Sequence, residues 1–227
     1  MSPELEPDPG TVPVQQPESR DHLCQGSSGH AWLNAARVFQ PPCPGADRAA
    51  IAVLSDAGLS ALRRSGHAAV AAACVPSVAP SHVRFVDPAA AIGIASCADT
   101  ALPGLYDAPW PELPVILGCE PASERCARFN LRIPPDLRAL RGHFPDLPVV
   151  PGAIHVGWAL ALARRALGVP GSLAEIPAVK FRRIVQPGHE LSLSLEWQDE
   201  RRMLSFALAS SSGSHSAGRL VMGPPDA

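Results

Sequence analysis

The clearest pattern of hydrophobic and polar positions lies near the C-terminal end of the chain. In Glu190–Trp197, ELSLSLEW, three leucines and a tryptophan alternate with serines and a glutamate. A period of two predicts a β-strand with one buried and one solvent-facing side. Three further segments are predicted as strands, separated by a charged turn and a Gly/Ser turn: Pro177–Val185, Met203–Ser210 and Ser216–Met222.

A longer apolar segment precedes these strands. Residues 152–167, GAIHVGWALALARRAL, are apolar on nearly all sides until two arginines near the end, and Gly168 and Pro170 follow. This pattern predicts a buried helix that ends at Gly168. A short strand is predicted before it, at Phe129–Pro134. One strand, a helix and a run of strands indicate an α+β domain with an antiparallel sheet.

The N-terminal half is organised differently. Residues 1–30 are rich in Pro, Glu, Ser and Gly, and are predicted to be disordered. Residues 31–87 are predicted as a small β-α-β unit: a strand at Ala49–Leu54, a helix capped at Ser55 that runs to about Val75, and a strand at His82–Val86. Residues 88–118 are rich in Ala and Pro and are predicted to be a linker.

Composition narrows the classes of function. The formal net charge of −2 provides no basic field for nucleic acid. No apolar run reaches the roughly 20 residues that span a bilayer, and the acidic, Pro-rich N-terminus has no secretory signal pattern, so a cytoplasmic protein is expected. The six cysteines include no Cys-x-x-Cys pair, and they are expected to be ordinary reduced thiols. No metal and no cofactor is expected.

The candidate chemistry lies between the first strand and the helix, in HFPDLPVVPG. His143 stands in a Pro-rich loop, and Gly152 opens the helix. A helix N-terminus offers free N–H groups and partial positive charge, and glycine lets a ligand approach that backbone closely. A histidine can act as a base near neutral pH. A polarised carbonyl beside a base is what proton abstraction alpha to a thioester requires.

The His-Phe-Pro-x-x-Pro-x-x-Pro-Gly pattern resembles the 3-hydroxyacyl-(acyl carrier protein) dehydratases of the FabA/FabZ type. The flanking FNLRIPPDL, PGAIHVGWALA and VKFRRIVQPGHELSLSLEW are most similar to their ApeI-like relatives from fatty-acid-like and aryl polyene pigment biosynthesis. The resemblance implies a hotdog fold over residues 119–223, a long helix wrapped by an antiparallel sheet. It also implies an acyl thioester on acyl carrier protein or coenzyme A as substrate, a homodimer, His143 as catalytic base, and Gly152 and Ala153 as substrate-binding residues.

The chain departs from this family at one position. The family places Glu or Asp fourteen residues after the histidine, where this sequence has Gly157. The acid position is therefore predicted to be vacant. His155 is a candidate substitute, although it lies about 200° from position 157 around the helix at 3.6 residues per turn. Glu175 and Glu190 are the other acids nearby in sequence, and Arg182 and Arg183 are candidates for contact with phosphopantetheine or with solvent.

Residues 49–87 are similar to the C-terminal subdomain of acyl-adenylating enzymes. That family continues into a loop whose lysine assists adenylation, but PAAAIGIASCADT contains no lysine, so the resemblance implies no adenylation. Two classes of function remain for the whole chain. One is a dehydratase with impaired activity, and the other is a non-catalytic acyl-binding or partner-stabilising subunit. A thioesterase is a third alternative, because hotdog proteins also host that chemistry.

Overall fold

The computed structural model describes residues 30–41, 48–142, 144 and 146–224. The predicted disorder of residues 1–30 falls outside these ranges except at His30. The helices and strands are β1 (Leu33–Phe39), β2 (Ala49–Leu54), α1 (Asp56–Cys74), β3 (Val83–Val86), α2 (Ala91–Ser96), α3 (Leu102–Asp107), β4 (Val115–Ser123), β5 (Cys126–Arg132), α4 (Gly152–Leu167), β6 (Leu173–Phe181), β7 (Glu190–Gln198), β8 (Met203–Ser210) and β9 (Gly213–Met222).

The N-terminal unit is a three-stranded sheet in the order β1-β2-β3, with α1 connecting the parallel pair β2 and β3. All six residues of β2 are buried, as their apolar sequence AAIAVL requires. The hydroxyl of Ser55 caps α1 by accepting a hydrogen bond from the N–H of Gly58 at 3.2 Å. Both strands and the helix of the predicted β-α-β unit are present, and β1 adds an antiparallel strand that the sequence analysis missed.

Residues 88–118, predicted to be a linker, are instead structured. They contain α2, α3 and the start of β4. Ile94 and Leu102 are buried in a small core with Ile51 and Val53 of β2. The Ala- and Pro-rich composition gave no periodic pattern, so the sequence analysis missed these few apolar residues, which pack the segment against the N-terminal sheet.

The C-terminal domain confirms the α+β hotdog prediction. Its six strands have the order β4-β5-β7-β8-β9-β6, and every neighbouring pair is antiparallel. The buried side chains of α4 and of the inward-facing strand positions form one core. In β7 the residues Leu191, Leu193, Leu195 and Trp197 are buried, as the alternation predicted. Gly168 ends α4 in the left-handed conformation at φ +62°.

The two edge strands are where sequence reasoning failed. Strand β4 was missed, and β6 begins at Leu173 rather than at the predicted Pro177. Most residues of β6 are exposed, so the strand has no alternation of buried and exposed positions for a sequence pattern to report.

Charged groups join the N-terminal unit to the C-terminal domain. Arg84 of β3 forms a salt bridge with Asp136 at 2.8 Å, and both side chains are almost completely buried. Arg132 of β5 binds Asp87 through two nitrogens, at 2.9 and 2.6 Å. These contacts, called here the junction, fix the end of the six-stranded sheet against the N-terminal unit.

Candidate active site

Helix α4 begins at Gly152 against the ring of Phe181, the last residue of β6. A Cβ atom built at Gly152 would lie only 2.7–2.9 Å from three atoms of that ring. No other residue type fits there without displacing Phe181. As the first residue of the helix, Gly152 has an N–H without an intrahelical acceptor. Ala153 beside it is exposed. This end of α4 can therefore present backbone donors to a ligand.

The candidate base His143 lies outside the described residues, as does Pro145. The residues on either side of it are described. The peptide leaves the 3-10 turn Arg138–Leu140 and passes Gly142 at φ +73°. Phe144 has φ +52°, an uncommon conformation for a bulky residue, and its side chain is 59% exposed. Val150 then returns to the core, where its N–H donates to the carbonyl of Val185 at 2.8 Å.

Gly157, the predicted vacant acid position, faces open space. The residue is exposed, and a Cβ built on it would meet no atom within 4 Å. A side chain at this position would therefore begin in open space among the described residues.

His155 lies on a different face of α4, as its spacing from position 157 predicted. It is 3% exposed, and its Nδ1 pairs with the Ser216 hydroxyl at 3.1 Å. Its ring stacks on Trp158 with centroids 5.5 Å apart, and Nε2 has no hydrogen-bond partner among the described residues. Burial, with a smaller contribution from His215, lowers the pKa of His155 to about 4. The ring is therefore neutral at pH 7 and carries no ionised proton to give.

The other sequence candidates are exposed to solvent. Glu175 lies on β6, and Glu190 at the start of β7 is 69% exposed, with Arg132 at 3.9 Å. Arg182 and Arg183 are exposed just after β6. Within the described part of the chain, none of these four side chains forms a hydrogen bond to Gly152 or Gly157.

Sequence reasoning missed a group of residues that line a depression in the surface. An open surface depression of about 680 Å³ is lined by Pro109, Trp110, Glu112, Arg138 and Arg141. The indole N–H of Trp158 in α4 donates to the carbonyl of Glu112 at 3.0 Å, which ties the wall of the depression to the helix. The signal that could have found it is Trp110 flanked by two prolines, an aromatic anchor in a segment otherwise assigned to a linker.

Two general features complete the description of the site. In the described ranges, no group of three or more His, Cys, Asp and Glu side chains is placed to hold a metal ion. Nor does any described helix combine the length and apolar character needed to cross a membrane.

Comparison with known proteins places the similarity in the C-terminal half. Residues 120–219 match the family model of the ApeI-like proteins, described as ApeI dehydratase. The 3-hydroxyacyl-(acyl-carrier-protein) dehydratase FabZ of Vibrio atlanticus is 38% identical over 71 residues, 27% of this chain and 47% of that protein. The FabZ of Vibrio cholerae is 39% identical over 75 residues, 29% of this chain and 48% of that protein. The chain thus spans about half the length of the curated relatives it matches.

Among solved structures, the dehydratase heterocomplex ApeI:P from Xenorhabdus doucetiae is 29% identical with a TM-score of 0.47, covering 49% of this chain and 98% of that chain. The resemblance of residues 49–87 to acyl-adenylating enzymes stays a prediction. The predicted resemblance of the C-terminal half is confirmed: residues 120–219 are similar to the ApeI-like dehydratases and form a hotdog domain.

Proposed function

We propose that this protein removes water from a 3-hydroxyacyl thioester to give the enoyl thioester, in fatty-acid-like or aryl polyene biosynthesis. The acyl group would be carried on acyl carrier protein or on coenzyme A. The observation that carries this proposal is Gly152 at the start of α4, where the ring of Phe181 lies so close that any side chain at position 152 would displace it. Gly152 has no side chain and the ring of Phe181 is 54% exposed and able to turn aside, so a carbonyl oxygen can reach the N-terminus of the helix.

Two groups of the protein take part in the proposed reaction, the N–H of Gly152 and the side chain of His143. The N–H of Gly152 donates a hydrogen bond to the thioester carbonyl oxygen, on which negative charge develops as the alpha proton leaves. His143 accepts that alpha proton. The electron pair of the broken C–H bond forms the new double bond, and the hydroxyl on the beta carbon departs with a proton as water.

The departing hydroxyl lacks its usual acid. Gly157 supplies no side chain, and His155 is neutral because of its burial. A general acid contributes about 10²–10⁴-fold to such a step. We therefore propose that turnover is slow, with the proton delivered by solvent or by the imidazolium that His143 becomes.

We also propose a homodimer. Strand β6 is an edge of the six-stranded sheet, and it presents apolar side chains to solvent: Ile176 is 47% exposed and Phe181 is 54% exposed. An exposed apolar edge strand is a template for pairing with another chain. Pairing of β6 with its copy would cover these side chains and bring a second chain close to the start of α4.

The direct test is incubation of the purified protein with a 3-hydroxyacyl carrier protein, with intact-protein mass spectrometry following the loss of water. We expect slow formation of the enoyl product, abolished in His143→Ala. Arg125→Gln, far along the β4–β5 hairpin, is the matched control and should keep the wild-type rate. Absence of product in wild type over a long incubation would reject the dehydratase proposal.

One observation favours a second candidate, a non-catalytic acyl-binding subunit. The open space at Gly157 leaves the reaction without its second catalytic group. In that case the acyl carrier would bind with measurable affinity while its mass stayed unchanged. Release of free acid in the same mass spectra would instead indicate a thioesterase.

A further inference from the structure

Helix α1 of the N-terminal unit contacts the C-terminal domain at the turn just before β7, called here the QPGH turn after its sequence. Arg63 of α1 donates a hydrogen bond from Nη1 to the carbonyl of Pro187 at 2.9 Å. The side-chain amide of Gln186 donates in turn to the carbonyl of Arg63 at 3.4 Å. A Cβ atom built on Gly188 would lie 2.8 Å from Cδ1 of Leu59 and 3.1 Å from Nη1 of Arg63. Hydrogen bonds and close packing therefore both fix the QPGH turn to α1.

The QPGH turn is also held by the C-terminal domain. The N–H of Gly188 donates to the carbonyl of Ile133 at 2.8 Å, and the N–H of Ile133 donates to the carbonyl of His189 at 3.0 Å. On the α1 side, the other terminal nitrogen of Arg63 donates to the hydroxyl of Ser60 at 2.9 Å, which orients the guanidinium towards the turn. The turn thus lies between α1 and the end of β5, with backbone bonds on one side and Arg63 on the other.

One backbone hydrogen bond connects the QPGH turn to the loop that leads into α4. Val185, immediately before the turn, is fully buried, and its carbonyl accepts the N–H of Val150 at 2.8 Å. Val150 stands two residues before Gly152, whose N–H is the proposed donor to the thioester carbonyl. A shift of the turn is therefore passed through Val185 and Val150 to the start of α4.

Helix α1 lies outside residues 120–219, which match the ApeI-like family model, whereas the QPGH turn and the start of α4 lie inside them. We propose that Arg63 is a positioning residue for the reaction. Through its bond to Pro187, the N-terminal unit holds the start of α4 where the N–H of Gly152 meets the thioester carbonyl. The inference rests on the proposed function, which gives Gly152 that role. Position matters because such a donor stabilises the developing charge only within hydrogen-bond reach of the oxygen.

The first test replaces Arg63 in two ways. Arg63→Met keeps an apolar stem against the turn but removes the donor to Pro187, whereas Arg63→Lys supplies a donor again. Both are assayed with a 3-hydroxyacyl carrier protein, and each rate is divided by the folded fraction measured by circular dichroism. Arg63→Met should lower kcat about tenfold, a part of the roughly 10²-fold that a misplacement of 1 Å can cost. KM should stay the same, because the lost interaction belongs to the transition state.

Two variants control this result. Arg63→Lys should recover most of the lost kcat. Arg64→Met removes the neighbouring arginine of α1, which is exposed, and it should keep the wild-type kcat. A fall in kcat shared by Arg63→Met and Arg64→Met would make it an effect of charge on α1 and would overturn the proposal.

The second test does not depend on turnover. Hydrogen exchange followed by mass spectrometry should show the peptide that contains Val150 exchanging about tenfold faster in Arg63→Met than in wild type, as expected from the loss of one hydrogen bond to a charged group. The amides of β7 serve as the internal reference, because their exchange reports unfolding of the whole domain. In Arg64→Met both sets of amides should exchange as in wild type.

Three further results would overturn the proposal. Equal exchange at Val150 in wild type and Arg63→Met would show that α1 does not hold the start of α4. A lysine variant as slow as the methionine variant would show that the bond to Pro187 has no part in the rate. A loss of kcat that disappears after correction for the folded fraction would make Arg63 a stabilising residue only. If wild type dehydrates no substrate, the proposed function fails, and the exchange at Val150 decides this inference by itself.

Discussion

The junction and the β6 edge show two ways in which the same domain ends. At the junction, charged side chains are paired: Arg84 with Asp136, both almost completely buried, and Arg132 with Asp87, both partly buried. At the β6 edge, apolar side chains such as Ile176 and Phe181 are left in solvent. A buried ion pair adds little net stability, but removing one of its partners strongly destabilises the fold. An exposed apolar area instead favours association, because another chain that covers it removes it from water. The contacts at the junction are therefore satisfied within one chain, whereas the β6 edge is suited to binding a second chain.

The proposed site includes the start of α4, which contacts the β6 edge. Phe181 of β6 covers the start of α4, and Gly157 farther along the helix faces open space. The junction is linked through Arg84, Trp110 and Arg141 to the loop that leads to His143. The comparison predicts that changes on the open side alter rate and assembly, and that changes at the junction alter stability.

The largest effect is expected at Gly157. Gly157→Asp begins a side chain in open space, and its carboxyl group should raise the dehydration rate by about 10²-fold or more if the family's acid position is retained. Stopped-flow or discontinuous mass-spectrometric rates would measure this. Gly157→Asn, similar in size but without an acid, should stay near the wild-type rate. A brisk wild type that is slowed by the aspartate would show that another carboxyl group, Glu175 or Glu190 first, delivers the proton.

At the junction, Arg84→Ala should lower the free energy of unfolding by about 3–5 kcal/mol, because Asp136 would remain buried without its partner. Burial already raises the pKa of Asp136 against the opposing pull of Arg84, so removal of the arginine leaves desolvation unopposed. Urea denaturation followed by circular dichroism measures the change. The control is Arg125→Ala, whose pair with Asp199 is half-exposed. It should cost less than about 1 kcal/mol. Equal losses in the two variants would contradict the contrast between closed and open boundaries.

On the open side, Ile176→Lys should weaken the proposed homodimer at least tenfold, since a lysine on an edge strand opposes pairing. Light scattering across a concentration series would detect the monomer. Ile116→Lys, on the opposite edge strand β4, is the matched control, with a side chain of comparable exposure. A wild type that is monomeric at micromolar concentration, or a dimer lost equally in both variants, would remove β6 as the interface.

A further prediction concerns pH and His155. Its folded pKa of about 4 lies below the unfolded value near 6.5, so the unfolded chain binds the proton first as pH falls. The contribution to stability is complete above pH 6.5 and is lost between pH 6.5 and 4, by about 1.4 kcal/mol per pH unit. His155→Gln should flatten this dependence in urea titrations from pH 7 to pH 4.5. His189, whose pKa burial also lowers to about 4, should still titrate in that variant. Unchanged slopes would show that His155 is not protonated on unfolding.

The sequence predicted the C-terminal fold well because the apolar positions in its pattern are the positions that the fold buries. The leucines of β7 alternate since one side of the strand lies on α4, and the apolar residues of α4 are nearly continuous since the sheet wraps the helix. It failed at β4, at β6 and in residues 88–118, where burial is partial and the pattern correspondingly weak. A few anchors such as Ile94 and Leu102 decide the structure there, and no periodicity marks them.

The same division applies to the site. The sequence by itself determined that Gly152 opens α4 and that His155 lies on a different face from Gly157, because helix geometry converts spacing directly into direction. The vacant acid at Gly157 is implied by the family resemblance and stays a prediction. Only the tertiary structure decided that His155 is buried and neutral, that Phe181 closes over Gly152, and that Trp110 joins Arg138 and Arg141 around a surface depression. Those facts depend on contacts between residues tens of positions apart in the chain. Such contacts arise when separate elements pack, and no local pattern of residues encodes them.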